Sequence, residues 1–191
     1  MNYVAHLLLT YPQEDISIGN LMGDMLSNKE VALLPQEMRK GVQIHRAIDH
    51  HTDNHASMRE VVKLLRPQHR KYAPVVADIL LDRVLVINWQ AYSSVSYEVF
   101  EDWVYHTINS HLDVIPAQLH KRLGSMVHHR WLKQYASLEG MQYVLDRMDR
   151  RTQFPSDFGS AVKDIPLHYS AMQNALSVLF PDLSSLVQKM Y

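Results

Sequence analysis

A histidine and an aspartate, His45 and Asp49, are spaced as two ligands of one metal ion would be on a helix. They lie four residues apart in the 35–52 segment, on the same stripe as its apolar residues. Side chains four apart in a helix lie beside each other, and Thr52 and Asp53 could support them by hydrogen bonds. A shared divalent cation would serve metal-assisted hydrolysis. The alternative is a His–Asp hydrogen bond that satisfies two polar groups at the edge of the core.

Two aspartates at the same spacing, Asp78 and Asp82, interrupt the apolar 75–89 segment. Buried acids raise each other's pKa by repulsion and desolvation, and a divalent metal would remove that penalty. Two alternatives stay open. A helix dipole beginning near Pro74 would stabilise Asp78, and an arginine of a neighbouring helix would pair with Asp82.

Two further polar residues, His6 and Asp24, stand singly in apolar segments. Each is a candidate ligand, although such residues are more often hydrogen-bonded members of a core. Gly19 and Gly23 would allow a second helix to approach closely around Asp24.

A basic stripe runs along the 56–66 segment and beyond it. It consists of Arg59, Lys63, Arg66, Arg70 and Lys71. The common explanation of such a run is a solvated helix face, interrupted here by Pro67. The functional explanation is a docking surface for an acidic partner. Aromatic residues that could stack on bases are not interleaved with it, so nucleic acid is not favoured.

Helices must position these residues, because apolar residues recur with helical rather than alternating periodicity. The sequence predicts an all-α, single-domain multi-helix bundle over 1–191, with the metal site within 1–90. The 47% hydrophobic and 20% charged composition excludes disorder as the main state. The predicted helices cover about 2–10, 17–29, 35–52, 56–66, 70–92, 96–112, 116–124, 126–136, 138–151, 156–179 and 182–190.

Composition excludes several classes of chemistry. The chain has no cysteine, which removes disulfides, thiolate metal sites and cysteine nucleophiles. A formal charge of −1 gives no global attraction to nucleic acid or anionic membranes. We find no signal peptide or membrane span and expect a cytoplasmic protein. The sequence carries no signal for an oligomeric state.

Taken in order, these residues resemble the acyl carrier protein phosphodiesterases. The strongest match runs from Gly41 to Asp53 through Ile44-His45-Arg46-Ala47-Ile48-Asp49. Other matches are Met1-Asn2, Ala5-His6, Gly19-Asn20, Gly23-Asp24, Arg66-Pro67, Tyr72-Ala73, Asp78 with Asp82, and Trp89, with weaker ones at Trp131-Leu132, Tyr135, Gly140, Arg150-Arg151-Thr152 and His168-Tyr169.

The resemblance implies a helical fold similar to HD-type phosphohydrolases and removal of the 4′-phosphopantetheine arm from holo-acyl carrier protein. The cofactor it implies is a divalent metal, usually Mn²⁺; residue types alone also suit Mg²⁺, Fe²⁺ or Zn²⁺. The ligand candidates are then His6, Asp24, His45, Asp49, Asp78 and Asp82. Among these, Asp24, His45 and Asp49 are the catalytic candidates, and whether His45 or Asp24 is a ligand or a base stays open. Arg46, Thr52, Asp53 and Arg83 are expected to support the ligands.

One departure from the family pattern is Arg83, where we expect a histidine after Asp82. It could contact a phosphate oxygen or mark altered activity. Two other functions therefore stay open: hydrolysis of another phosphoester, such as a nucleotide, and carrier-protein binding without catalysis. Because acyl carrier protein is acidic, the resemblance favours the basic stripe as its docking surface.

Overall fold

Helices form the framework of the molecule, as the periodicity predicts. The computed structural model describes residues 1–150, 152 and 156–191, and no strand occurs among them. The α-helices there are α1 (Tyr3–Thr10), α2 (Glu14–Leu21), α3 (Asn28–Val31), α4 (Gln36–Asn54), α5 (Ala56–His69), α6 (Ala73–Ile87), α7 (Tyr97–Ser110), α8 (Ala117–His128), α9 (Leu138–Asp149) and α10 (Asp164–Gln188). Short 3-10 helices cover Arg70–Tyr72, Trp89–Ala91, Leu132–Ala136 and Gly159–Lys163. The all-α prediction is confirmed.

The central helix is α6, as its nearly continuous apolar sequence predicts. It packs against α1, α5 and α10, and most of its residues are buried. A helix that is apolar on all sides must be surrounded by other helices to be stable. Asp82 is therefore fully buried, whereas the Asp78 side chain is partly exposed.

The closest helix pair consists of α2 and α4. At Gly19, a methyl group would overlap the backbone of Met38, so only glycine permits this approach. The predicted role of Gly19 as a point of close contact is confirmed. The pair holds the end of α2 against the first two turns of α4.

Some helix boundaries differ from the predictions, for local reasons. The predicted 17–29 helix is divided, because Ser27 and Glu30 form a capping box that begins α3. The prolines are less disruptive than predicted: α5 continues through Pro67, and α10 continues through Pro181. Pro67 has no N–H group and so removes one hydrogen bond of the ladder, and only two residues of α5 follow it. Arg151, in the predicted 138–151 helix, lies outside the described residues.

The carboxylate of Asp82, on α6, binds backbone N–H groups at the N-terminal end of α1. It accepts hydrogen bonds from the backbone N–H groups of Val4 at 2.7 Å and of Asn2 and Ala5 at 3.3 Å each. Burial raises the pKa of Asp82 to about 7, although these N–H groups act in the opposite direction. The buried charge therefore has a structural partner: the free N–H groups at the beginning of a helix.

Asp78 lies one turn earlier on α6 and accepts a hydrogen bond from the Met1 ammonium at 2.8 Å. Together with Asp82, it fastens the start of α1 to α6. Among the described residues, no helix combines the length and the apolarity that crossing a membrane requires.

Replacing Asp82 with alanine should lower the free energy of unfolding by about 2–4 kcal/mol, since it leaves buried N–H groups without an acceptor. Urea unfolding followed by circular dichroism measures this. Asp113→Ala, at an exposed position, is the matched control and should cost at most about 0.5 kcal/mol. Equal costs for the two variants would show that Asp82 does not anchor α1.

Candidate metal centre

Two histidines and two aspartates from three parts of the chain converge at one point. His6 lies on α1, Asp24 in the turn after α2, and His45 with Asp49 on α4. Asp49 lies between the rings: its Oδ1 is 3.0 Å from His6 Nε2, and its Oδ2 is 3.1 Å from His45 Nε2. Asp24 Oδ1 lies 3.1 Å from the same His45 nitrogen. The predicted pair His45 and Asp49 thus becomes part of a larger cluster.

A buried asparagine, Asn20, sets the orientation of both imidazole rings. Its Nδ2 donates to the carbonyl oxygen of His6 at 2.7 Å, so its Oδ1 must face the rings. That oxygen lies 2.9 Å from His6 Nδ1 and 3.2 Å from His45 Nδ1. Because Oδ1 can only accept, both rings carry a proton on Nδ1. In its neutral form each ring therefore points the lone pair of Nε2 toward Asp49.

This arrangement is suited to a cation. A neutral imidazole nitrogen and a carboxylate oxygen both present lone pairs, which repel at 3.0–3.1 Å. His45 Nε2 is buried, and neither neighbouring carboxylate meets the geometry of a hydrogen bond to it. Ligand atoms bound at right angles around a metal at about 2.1 Å lie about 3 Å apart. His6, His45 and Asp49 could therefore hold a metal ion, with each supplying one atom.

The pKa shifts within the cluster also reflect the negative charge of its carboxylates. Burial alone would lower the pKa of His45, but Asp24 and Asp49 outweigh burial and raise that pKa to about 9. Burial lowers the pKa of His6, so its ring is neutral. Burial alone would raise the pKa of Asp49, yet contacts with His45 and His6 hold it well below its usual range. A proton on His45 thus occupies a place that a metal could take, and metal binding would release it.

Gly23, in the turn after α2, leaves room for the cluster because it has no side chain. A methyl group there would overlap the ring of His45. The cluster opens into a small pocket of about 80 Å³ that includes Asp24 and Tyr3 in its lining. The Asp24 side chain is 77% exposed, whereas that of His45 is 9% exposed. Contact with the His45 ring holds the pKa of Asp24 below its usual value, so an ionised carboxylate stands at the mouth.

The other predicted site residues lie outside this cluster of ligand atoms. Asp78 and Asp82 are engaged by the start of α1. Arg83 donates to the carbonyl oxygen of Tyr135 at 2.6 Å, and Arg46 donates to the side chain of Asn28 at 2.9 Å. Thr52 and Asp53 directly follow His51 on α4. Thr52 is buried and Asp53 is exposed.

The sequence predictions did not include Asn20. Its residue type gives no indication of a ligand, although it belongs to the matched Gly19-Asn20 pair. The available signal was its position: α2 is buried from Ile16 to Leu21, and an amide there needs partners.

A second group of two histidines and an aspartate differs from the cluster at Asp49 in its hydrogen bonds. His51, His55 and Asp182 also bring ligand atoms close together. Here the backbone N–H of Ser57 donates to His55 Nδ1 at 3.2 Å, so the proton of the neutral ring is on Nε2. That nitrogen donates to Asp182 at 3.2 Å, an ordinary hydrogen bond. His55 and Asp182 are thus paired without a metal, whereas His51 Nε2 is buried without a hydrogen-bond partner.

Comparisons with known proteins identify the family of the chain. The sequence model described as acyl carrier protein phosphodiesterase matches residues 1–183. A relative with that name from Klebsiella pneumoniae subsp. pneumoniae is 28% identical over 189 residues, 98% of each chain. One from Serratia proteamaculans is 27% identical over 184 residues, 96% of this chain and 95% of the relative. No solved structure matches the chain. The chain belongs to the acyl carrier protein phosphodiesterase family.

Proposed function

We propose that this protein hydrolyses the phosphodiester between 4′-phosphopantetheine and the serine of holo-acyl carrier protein, leaving the apo form. The observation that carries the proposal is the pair of Nε2 atoms of His6 and His45 facing the two oxygens of Asp49. Such a set of donors suits a divalent cation, and the relatives are named for this substrate. The fold would then be that of an HD-like phosphohydrolase.

The metal is held by His6, His45 and Asp49, and we propose Mn²⁺. Nitrogen and oxygen donors together fit Mn²⁺ as well as its neighbours among the divalent metals. When bound, it supplies a Lewis acid that polarises a phosphoryl oxygen and makes water more acidic. Asp78 and Asp82 are left out of this set, because both already bind the start of α1.

Asp24 acts as the general base in this proposal. It is the exposed carboxylate at the mouth of the pocket, and its low pKa keeps it ionised at neutral pH. It takes the proton of the water that attacks phosphorus, and the serine oxygen of the carrier leaves. His45, held by Asn20, serves as a ligand rather than as the base.

The basic stripe is proposed as the docking surface for the acidic carrier. Arg59, Lys63 and Arg66 are exposed on α5 and line one groove together with Asp53 of α4. This groove joins the stripe to the helix that carries Asp49. Rim charges of this kind speed association and lose their effect as salt is added.

Arg83 does not disturb the proposed chemistry. Its guanidinium donates to a backbone carbonyl, and it is not part of the lining of the pocket at Asp24 in the described chain. The alternative of carrier binding without catalysis, which this residue raised, therefore gains no support from its position.

Incubating the protein with holo-acyl carrier protein and Mn²⁺ should remove the 4′-phosphopantetheine arm, as read from the mass of the carrier. Asp49→Asn should reduce the rate by at least about 100-fold, because the amide loses one of the two oxygens that face the rings. Asp182→Asn, at the other histidine group, is the matched control and should keep normal activity. An intact arm across a series of metals, or equal rates for the two variants, would refute the proposal.

Replacing Asn20 with leucine should weaken Mn²⁺ binding by about 10–100-fold, the usual cost of losing a residue that orients metal ligands. Isothermal titration calorimetry measures this. Ser17→Ala is the control, since Ser17 is buried on the same helix and bonds to Thr10 rather than to the rings. Unchanged affinity in Asn20→Leu would mean that the rings do not need this asparagine.

Reversing the charge at Arg66 and Arg70 together, with glutamate, should raise KM for holo-acyl carrier protein about tenfold at low salt. The difference from the unchanged protein should shrink in about 0.5 M salt, where the Debye length is short. Reversing the exposed Lys133 and Lys189 gives a control with the same change in net charge. If both double variants behave alike, the stripe is not the docking surface.

A further inference from the structure

We propose that an apolar cleft beside the metal centre binds the pantetheine part of the arm during cleavage. This proposal rests on the proposed function and adds a site for the group that leaves with the phosphate. The cleft encloses about 280 Å³ and lies between the N-terminal residues, α8, the 3-10 helix Leu132–Ala136 and α9.

The walls of the cleft are largely apolar, with polar groups at separate points. The residues that line it include Tyr3, Trp131, Tyr143, Val144 and Met148. Gln134 offers an amide that can both donate and accept. Small-molecule sites have this character: mostly apolar, with a few polar groups that fix orientation.

The cleft adjoins the pocket at the metal centre. Asn2, Tyr3 and Arg122 line both spaces. A ligand with its phosphate at Asp24 and His45 and its chain in the cleft would therefore pass Arg122. The guanidinium of Arg122 donates to the Tyr3 hydroxyl at 2.7 Å, a neutral partner that leaves its positive charge available for an anion.

The pantetheine arm has the matching order of groups. A phosphate at one end is followed by a branched hydrocarbon unit, then by two amides and a terminal thiol. The phosphate suits the metal centre and Arg122, the hydrocarbon suits the aromatic walls, and the amides suit Gln134 and Asn2. The volume is close to the lower end for small-molecule sites, which fits the arm without a long acyl chain.

The absence of cysteine in the chain allows a direct test of where the arm lies. Met148→Cys places one thiol in the cleft, and Val178→Cys places one at an exposed position on α10. Each is converted to a mixed disulfide with thionitrobenzoate. With a chelator present to prevent turnover, the arm thiolate of holo-acyl carrier protein attacks the cysteine sulfur. It forms a new disulfide and releases thionitrobenzoate.

We expect Met148→Cys to form the cross-link at least about tenfold faster than Val178→Cys, with competition by excess 4′-phosphopantetheine whose thiol is blocked by methylation and no cross-link to apo-carrier. We also expect Val144→Trp, which fills the cleft, to lower kcat/KM for holo-carrier at least about tenfold while its Mn²⁺ affinity stays unchanged. Circular dichroism checks that this variant folds.

The two proposals fail in different ways. Equal cross-linking rates at the two positions, with normal cleavage by Val144→Trp, would overturn the arm site and leave the hydrolase intact. Selective cross-linking at Met148→Cys by a protein that never removes the arm would support the arm site and refute the proposed hydrolysis. Neither cross-linking nor cleavage would overturn both.

Discussion

The lone pairs of His6, His45 and Asp49 impose the constraint on which the rest of the site depends. Asn20 keeps the ring protons on the far nitrogens, so both Nε2 atoms face carboxylate oxygens at about the distance of neighbouring metal ligands. Without a cation these atoms repel one another, and a proton on His45 relieves this only in part. The bundle thus maintains an arrangement that is costly until positive charge enters it.

The fold sustains this arrangement through contacts that lie away from it. Asp82 holds the first turn of α1, and α1 in turn carries His6. Gly19 allows α2 to approach α4, and Gly23 leaves room for the His45 ring. A buried carboxylate and two missing side chains therefore determine where the imidazoles stand. This explains why a carboxylate occurs in the buried, largely apolar helix α6.

Helix periodicity was sufficient to predict the fold class and the shared face of His45 and Asp49. It could not show whether the aspartates of α6 accept backbone N–H groups or bind a metal. The two kinds of carboxylate look alike in sequence. Asp82 shows this: its partners are backbone atoms, which no residue pattern reveals. Asn20 was missed for a related reason, since its role depends on the direction of an amide. The predicted break at Pro67 was wrong, since α5 continues through this residue to His69.

Tyr3 and Arg122 line both the pocket at the metal centre and the adjoining apolar cleft. This arrangement has an evolutionary consequence. The ligand cluster comes from α1, α2 and α4, whereas most of the adjoining cleft comes from α8, α9 and the segment between them. Substitutions in the second set can reshape the cleft without moving an imidazole. Relatives in this family could therefore diverge in the molecules that they accept while the reacting centre stays the same.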